Sequence, residues 1–298
     1  MHDVIIIGGS YAGQAAALQL ARARRKVLVI DAGLRRNRFA AHSHGFLGRD
    51  GVAPGDIAME AKAQLLRYPS VTWVDGAAIS AARMNAGIAV SLSDGSSHVA
   101  SRIILSGGVR DVLPAIPGLG ERWGRSVFMC PYCDGYELDR GEIAVIATSP
   151  NSIHQAMLLA DWGRVTFFLN GAFEPNADEV KMLAARGVAI EAVPVSAIEG
   201  DRADIVLVDG RRLSFVGAFT APRVELASSI PAELGCEMTD SPLGPVIKVN
   251  AMAETSVADV FACGDITRGA GSVSLAVGDG AMAGVSVHRS LIFPKAAH

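Results

Sequence analysis

The sequence predicts an α/β protein made of two three-layer domains, with the second inserted into the first. Two βαβ patterns carry this prediction, one starting at Val4 and the other at Glu142. Pro/Gly-rich segments flank the second pattern, and a length of 298 residues suits about two domains. Each domain is therefore predicted to contain a Rossmann-like sheet that is covered by helices on both faces.

The first βαβ unit is predicted as a strand over residues 4–7, a helix over 14–23 and a strand over 26–30. Both strands are apolar throughout, which is typical of strands buried on both faces of a parallel sheet. Three further apolar runs predict strands over 72–74, 89–92 and 102–105, and the last of these leads into Ser106-Gly107-Gly108.

The inserted domain is predicted from two chain crossings, LPAIPG at residues 113–118 and DSPLGP at 240–245. Between them lie a strand over 142–147, a helix from about 152 to 162 and a strand over 165–169. The segment VFACGD at residues 260–265 and a small-residue helix from about 272 to 290 follow the second crossing. The predicted boundaries are 1–113 with 243–298 for the first domain, and 114–242 for the inserted one.

Composition excludes several classes of function. The formal net charge is −3, and no basic run or basic helix suggests a nucleic-acid or membrane-surface partner. The start, MHDVIIIGG, is typical of a buried strand entering a glycine turn, not of a signal peptide. No apolar run approaches the roughly 18–20 residues of a membrane span. We therefore expect a cytoplasmic protein.

The turn after the first strand, GGSYAG at residues 8–13, has the features of a pyrophosphate site. Such a site needs a tight turn, close backbone approach and a helix N-terminus facing the anion. Ser10 stands where a glycine is usual but still offers a backbone N–H. Asp31, about twenty residues further on, is placed to accept hydrogen bonds from ribose hydroxyls. Glycines at such a turn also occur for packing alone, and this alternative stays open here.

A second motif near the C-terminus favours the cofactor interpretation. Ala262-Cys263-Gly264-Asp265 follows an apolar strand and precedes the loop Gly269-Ala270-Gly271, which opens a helix. An aspartate there can hold a sugar-chain hydroxyl, and the helix N-terminus stabilises nearby negative charge.

Two of the four cysteines form Cys130-Pro-Tyr-Cys133, a spacing that predicts a redox-active pair in a reducing compartment. Thiol exchange at such a pair proceeds through a mixed disulfide. Asp134 follows directly and is the natural proton donor or acceptor. The alternative is half of a zinc site, but neither Cys236 nor Cys263 has a partner at zinc-ligand spacing, so we predict no metal.

These motifs, in this order, resemble the flavoproteins that have two dinucleotide-binding domains. GGSYAG, the SGG strand end and FACGD carry the resemblance, and CPYCDG is similar to the motif of low-molecular-weight thioredoxin reductases. The resemblance covers nearly the whole chain. It implies an FAD-binding domain formed by both chain ends, a middle domain carrying the cysteines, and a homodimer.

The resemblance also implies residue roles. Cys130 would be the interchange thiol and Cys133 the cysteine that faces the flavin. Either Asp134 or a histidine of the His42/His44 pair would transfer the protons. The predicted FAD-binding residues are Gly8, Gly9, Ser10, Tyr11, Ala12, Gly13, Asp31, Ala32, Arg36, Asn37, His42, Gly45, Gly107, Gly264, Asp265, Ser272, Val273 and Ser274.

The middle domain departs from the pattern of an NADPH-dependent reductase. Its strand-to-helix turn reads ATSPNS at residues 147–152, without a glycine, and Pro150 has no N–H. After the next strand comes NGAFE at 170–174. A site for the 2′-phosphate of NADPH would have arginines here, whereas the charge of Glu174 would repel that phosphate. The sequence therefore predicts that NADPH is not bound.

A protein that has sites for a flavin and a redox-active cysteine pair, but none for a pyridine nucleotide, resembles the FAD-dependent dithiol oxidases. Those enzymes form disulfides in natural products such as gliotoxin and holomycin. We therefore favour a thiol oxidase acting on a small-molecule or peptide dithiol, or on a thioredoxin-like protein. The alternatives are a thioredoxin reductase using NADPH or another donor, and a flavin redox sensor with little turnover.

Overall fold

The computed structural model describes residues 1–293, which form two compact units. The first unit comprises Met1–Arg38, Phe46–Arg110 and the described chain from Val224 onward, and the second comprises Phe39–Gly45 and Asp111–Arg223. The predicted first domain extends to residue 298, and its last five residues lie outside the described part. The predicted α/β class with two Rossmann-like domains is confirmed.

The elements of the first part of the chain are β1 (His2–Ile7), α1 (Tyr11–Arg22), β2 (Val27–Asp31), α2 (Pro54–Leu65), β3 (Val71–Asp75), β4 (Ala78–Met84), β5 (Gly87–Leu92), β6 (Ser97–Leu105) and β7 (Val109–Val112). The second unit follows with α3 (Leu119–Arg122), β8 (Val127–Phe128), α4 (Pro131–Asp134), a 3-10 turn (Tyr136–Leu138), β9 (Glu142–Ile146), α5 (Ser152–Leu159), β10 (Arg164–Phe168), α6 (Ala177–Ala185), β11 (Ala189–Glu191), β12 (Val195–Glu199), β13 (Ala203–Leu207), β14 (Arg212–Phe215) and β15 (Gly217–Thr220). The described part of the chain ends with β16 (Arg223–Leu226), α7 (Ile230–Glu233), β17 (Met238–Ser241), β18 (Gly244–Ile247), β19 (Val260–Ala262), a 3-10 turn (Asp265–Thr267) and α8 (Val273–Ile292).

The main sheet of the first unit has the strand order β3-β2-β1-β6-β5-β4. Strands β3, β2, β1 and β6 run parallel, and β4 and β5 are antiparallel additions. The long strand β6 pairs with β5 through its first half and with β19 through its second, so β19 ends beside the end of β6. The carboxyl ends of β1, β2, β6 and β19 thus lie at one sheet edge, where ligands bind in such folds.

Apolar burial holds this sheet together. Val4, Ile5 and Ile6 are fully buried, and each such side chain contributes roughly 1.5–3 kcal/mol. Helices α1 and α8 pack closely on one face because α8 presents glycines there. A Cβ on Gly280 would lie 2.0 Å from the Ala12 carbonyl oxygen, and one on Gly284 would lie 2.6 Å from that of Ala16. This contact fixes the start of α1.

The second unit contains a parallel sheet in the order β11-β10-β9-β15-β8 and an antiparallel sheet, β12-β13-β14. Phe167, Phe168 and Phe219 are fully buried in its core. The turn between β9 and α5 therefore lies at the carboxyl edge of a parallel sheet, as in the first unit.

The Pro/Gly-rich segment 240–245, predicted as a chain crossing, forms a hairpin of β17 and β18 within the first unit. The Ser241 hydroxyl donates to the Gly244 carbonyl oxygen across its turn, at 2.5 Å. The division between units falls at Arg223 and Val224, earlier than the predicted boundary at 242/243. The difference arises because Pro and Gly mark tight turns and linkers alike.

In the described part of the chain, no helix combines the length and the apolar character needed to cross a membrane.

Candidate active site

The turn between β1 and α1 requires its glycines. Gly8 has a φ of +106°, and a Cβ there would lie 2.3 Å from the Ser106 carbonyl oxygen. A Cβ on Gly13 would lie 1.9 Å from the Gly8 carbonyl oxygen. Ser10 is the N-cap of α1, but its side chain makes no capping hydrogen bond. The first N–H groups of the helix are therefore directed at the open end of the turn, as an anion site requires.

Asp31 holds this turn from the end of β2. Its Oδ1 accepts a hydrogen bond from the Gly9 N–H at 3.1 Å. A Cβ on Gly9 would lie 2.6 Å from the Asp31 Cβ and 2.5 Å from the Trp73 ring, so the three groups are in tight contact. Asp31 is thus fixed beside the turn, with Ala32 directly after it.

The C-terminal motif is joined to the loop after β2 by a partly buried ion pair. Arg36 Nη1 lies 2.8 Å from Asp265 Oδ2 and also donates to the Gly269 carbonyl oxygen at 2.7 Å. Both side chains are only 19% exposed. Asp265 Oδ1 is so close to Gly271 that a Cβ there would lie 2.2 Å away. The Asp265 carboxylate is therefore held on two sides.

The other predicted cofactor residues of the first unit lie around these groups. The Tyr11 hydroxyl donates to the Pro54 carbonyl oxygen at 3.1 Å and accepts from Asn37 Nδ2 at 3.2 Å, and burial raises the Tyr11 pKa. The Ser272 side chain caps α8 by accepting from the Leu275 N–H. Val273 and Ser274 begin α8, Gly264 precedes Asp265, and space around Gly107 is open.

Cys130 and Cys133 form a disulfide with a Cα–Cα distance of 5.3 Å. Cys130 is the extended N-cap of α4, and the Cys133 N–H donates to its carbonyl oxygen at 3.2 Å. Gly135 packs under the Trp162 ring, where a Cβ would lie 3.0 Å from a ring carbon. The exposed Tyr132 ring stands edge-on to Trp162 at 5.3 Å. The short helix is thus anchored while its disulfide stays near the surface.

Asp134 has the most distinctive environment of the acidic groups near the cysteines. Burial, and then the charge of Glu137, raise its pKa to about 7, whereas His44 acts in the opposite direction. Nε2 of His44 lies 3.4 Å from Oε1 of Glu137. Asp134 can therefore gain and lose a proton near neutral pH, as a catalytic acid or base must.

His42 and Gly45, predicted to contact the cofactor, belong to the short segment Phe39–Gly45 of the second unit. The His42 ring lies 6.3 Å from that of His44. His42 thus lies beside His44, and its contact with FAD stays a prediction, as does that of Gly45.

In the β9–α5 turn, Thr148 and Ser152 form hydrogen bonds within the protein. The Thr148 N–H donates to Ser152 Oγ at 3.1 Å, and Ser152 is almost fully buried. Thr148 Oγ1 donates to the Ala221 carbonyl oxygen at 2.9 Å. After β10, Asn170 Oδ1 accepts from the Val195 N–H at 3.0 Å. Polar groups of this turn thus bond to the protein itself.

Three polar residues near these sites were not predicted from the sequence. Glu137 faces Asp134, and its i, i+3 spacing was the available signal. Gln14 Nε2 donates to the Gly9 carbonyl oxygen at 2.8 Å, and Gln155 Nε2 donates to that of Met129 at 2.6 Å, next to Cys130. Nothing in the sequence distinguishes these glutamines from surface residues.

The remaining cysteines, Cys236 and Cys263, are buried, and burial raises the pKa of both thiols. Among residues 1–293, no three His, Cys, Asp or Glu side chains are grouped as metal ligands.

Two Rossmann-like units, a dinucleotide-type turn and a Cys-x-x-Cys disulfide beside an acid define the class of dinucleotide-dependent disulfide oxidoreductases. The model of one family, described as pyridine nucleotide-disulphide oxidoreductase, matches residues 2–280. This chain belongs to that family.

Individual relatives agree with this assignment. Thioredoxin reductase sirT of Leptosphaeria maculans is 31% identical over 96% of this chain and 93% of its own. Thioredoxin reductase tcpT of Claviceps purpurea is 32% identical over 97% of this chain and 94% of its own. The predicted resemblance to thioredoxin reductase-like flavoproteins is confirmed.

Solved structures extend the similarity to three dimensions. An oxidoreductase from Agrobacterium tumefaciens is 53% identical with a TM-score of 0.96, covering 99% of both chains. The protein HlmI is 32% identical with a TM-score of 0.90, covering 98% of this chain and 92% of its own.

The thioredoxin reductase-like family implies FAD, and the first unit fits it. The uncapped start of α1 suits the pyrophosphate, and Asp31 suits a ribose. No atom lies within 4 Å of a Cβ built on Gly107 or Gly108, so the end of β6 leaves room for a ligand.

Proposed function

We propose that this protein is an FAD-dependent dithiol oxidase, which closes a disulfide in a small-molecule or peptide dithiol and uses oxygen as the electron acceptor. The observation that carries the proposal is the β9–α5 turn, at the position where a second dinucleotide would bind. The Thr148 N–H is already bonded to Ser152 Oγ, and Pro150 has no N–H to offer. A pyrophosphate at this turn would therefore find neither of these two backbone donors, which such sites normally supply.

The chain after β10 supports the same proposal. Recognition of a 2′-phosphate uses an arginine near the end of the second strand, whereas this chain has Asn170 and Glu174 there. Asn170 Oδ1 is engaged by the Val195 N–H, and Glu174 carries the wrong sign of charge. These two residues support a reductant other than NADPH, and a dithiol can act directly on the disulfide.

The proposed exchange uses the residues of the second unit. A substrate thiolate attacks Cys130 Sγ, which forms a mixed disulfide and releases Cys133 as a thiolate. The second substrate thiolate then attacks the substrate sulfur that is bonded to Cys130. The substrate leaves as a disulfide, and Cys130 is released as a thiolate. Two electrons pass to the cysteine pair and two protons leave the substrate.

Asp134 is the group that takes up one of these protons. Its pKa of about 7 lets the carboxylate accept a thiol proton near neutral pH and release it afterwards. Bound FAD would supply the two-electron acceptor for the reduced cysteine pair, with oxygen as the final acceptor and hydrogen peroxide as the product. The FAD would be held by the Gly8–Gly13 turn, Asp31 and the Arg36–Asp265 pair.

A homodimer and a cytoplasmic location form part of the proposal. The low-molecular-weight reductase pattern supports the first, and the unpaired Cys236 and Cys263 are consistent with a reducing compartment.

A second candidate is a thioredoxin reductase that uses NADPH. The names of the fungal relatives favour it, because both are called thioredoxin reductase. The two candidates differ in the substrate that reduces the protein, and this difference is measurable.

The test is to follow oxygen uptake and peroxide formation in air with dithiothreitol or NADPH as reductant. We expect catalytic oxygen uptake with dithiothreitol, one peroxide per disulfide formed, and only background uptake with NADPH. NADPH oxidation coupled to reduction of an added disulfide would support the reductase instead.

A further inference from the structure

Asp134 and Glu137 lie on one helical stretch. Asp134 is the last residue of α4, and Gly135 keeps helical angles (φ −71°, ψ −35°) into the 3-10 turn Tyr136–Leu138. Residues three positions apart on such a stretch face the same side. Glu137 therefore places a second carboxylate next to the acid that follows Cys133.

A histidine from a distant part of the sequence completes the cluster. His44 belongs to the segment Phe39–Gly45 of the same unit, and its Nε2 lies 3.4 Å from Oε1 of Glu137. The two side chains are 24% and 44% exposed, so the pair is in contact with solvent on one side. Asp134 thus has an anion and a potential cation as neighbours, with opposite effects on its proton.

We propose that Glu137 and His44 are positioning residues that set when Asp134 holds its proton during thiol exchange at Cys130–Cys133. Glu137 keeps the proton on Asp134, and His44 favours its release. This proposal rests on the dithiol exchange described above and assigns the residues that tune it.

The charges around the cluster support this division of roles. Glu137 raises the pKa of Asp134 and His44 lowers it, with burial as the largest cause of the upward shift. The His42 ring lies 6.3 Å from that of His44. Helix α5 packs against α4, and its only titratable side chain, His154, is exposed. Glu137 and His44 are thus the two titratable side chains that act in opposite directions on the Asp134 proton.

The proposal predicts that substitutions of Glu137 and His44 shift the titration of Asp134 in opposite directions. Glu137→Gln removes the anion, so Asp134 should lose its proton at lower pH. His44→Gln removes the imidazole that favours release of the proton and leaves Glu137 unopposed, so Asp134 should keep its proton to higher pH. Each shift should be about half a pH unit or more, and the double variant should lie near the wild type.

The measurement is an infrared titration of the full-length disulfide protein from about pH 5 to about pH 9, which brackets the range where such a carboxyl titrates. The carboxylic C=O band of Asp134 is identified by its loss in Asp134→Asn. The pH profile of dithiothreitol oxidation is recorded in parallel. His154→Gln and Glu121→Gln, both exposed, serve as matched controls and should shift neither curve.

Opposite shifts in the infrared titration would establish the pair as the groups that set the Asp134 proton. Unchanged midpoints, or shifts of the same sign in both variants, would overturn the proposal. Because the infrared titration needs no turnover, a protein that oxidised no dithiol would refute the proposed function while still testing this inference.

Discussion

At the scale of single residues, the proposed chemistry depends on three neighbours. Cys130 and Cys133 form the disulfide that exchanges with substrate, and Asp134 titrates near neutral pH beside them. The two cysteines and Asp134 were predicted from the sequence, because Cys-x-x-Cys-Asp is a local pattern. Glu137 and His44 were harder to place, because their contact joins segments more than ninety residues apart.

Replacing Cys130 by serine tests the exchange directly. We expect Cys130→Ser to abolish dithiol oxidation, because no disulfide remains to be attacked. The variant should retain FAD, because the Gly8–Gly13 turn, Asp31 and the Arg36–Asp265 pair that would hold it lie in the first unit. Oxygen uptake and the bound-flavin absorbance are measured on the same sample. The control is Cys236→Ala, a buried thiol of the first unit, which should keep normal turnover. Normal turnover in Cys130→Ser would refute the mechanism.

The raised pKa of Asp134 predicts a dependence of stability on pH. Because the folded protein holds this proton more tightly than the unfolded chain, Asp134 contributes stability below about pH 4 that is lost as the pH rises through about 7. Asp134→Asn removes this loss. We expect the variant to gain about 1–2 kcal/mol over the wild type between about pH 5 and about pH 8, less than the roughly 4 kcal/mol that three pKa units would give without solvent screening.

Urea unfolding at the two pH values measures this difference. If the free energy of unfolding changed equally with pH in wild type and variant, the Asp134 carboxylate would not be destabilised by the folded protein, and the prediction would be wrong.

At the scale of elements, the cofactor turn depends on how α8 supports α1. The start of α1 must face the anion, and the close approach of Gly280 to the Ala12 backbone sets its position. The glycine turn itself was predicted from the sequence, whereas this support was not. A glycine in a helix is informative only once the neighbouring backbone is known.

Two glycines of α8 provide a matched test of this support. A methyl group on Gly280 would lie 2.0 Å from the Ala12 carbonyl oxygen, so Gly280→Ala should push α1 away. We expect a loss of about 1–3 kcal/mol in the free energy of unfolding and weaker FAD binding. Gly278 has no atom within 4 Å of such a methyl group, so Gly278→Ala should stabilise the protein by about 0.5–1 kcal/mol.

Thermal unfolding and FAD titration of the apoprotein measure both effects. Equal behaviour of the two variants would mean that the α1–α8 contact does not hold the turn in place.

At the scale of the whole molecule, the sequence was most informative where apolar runs are continuous. Strands β1 and β2 were predicted within two residues of their observed bounds, because burial on both faces leaves little ambiguity. Of β6, the buried second half was predicted and the more exposed first half was not. The antiparallel strands β12 to β14 and helix α2 were not predicted, because half-exposed elements give weak patterns. The hairpin at 240–245 has the composition of a chain crossing, because Pro and Gly are common in hairpin turns and in linkers alike.

The candidate site followed the same rule. Local motifs such as GGSYAG and CPYCDG were recognisable, and the absence of glycine from the β9–α5 turn was apparent from the sequence alone. The hydrogen bond from the Thr148 N–H to Ser152 Oγ could not be predicted, because it depends on the orientation of one hydroxyl group. The proposal that this turn binds no NADPH is the central claim about the molecule.

The most direct test of that claim is anaerobic mixing of the purified yellow protein with NADPH in one cuvette and dithiothreitol in another, followed by the visible flavin absorbance. The account predicts bleaching by dithiothreitol but not by NADPH, with the colour returning and peroxide appearing when air is admitted. Prompt bleaching by NADPH would contradict it and show that the second unit binds the nucleotide.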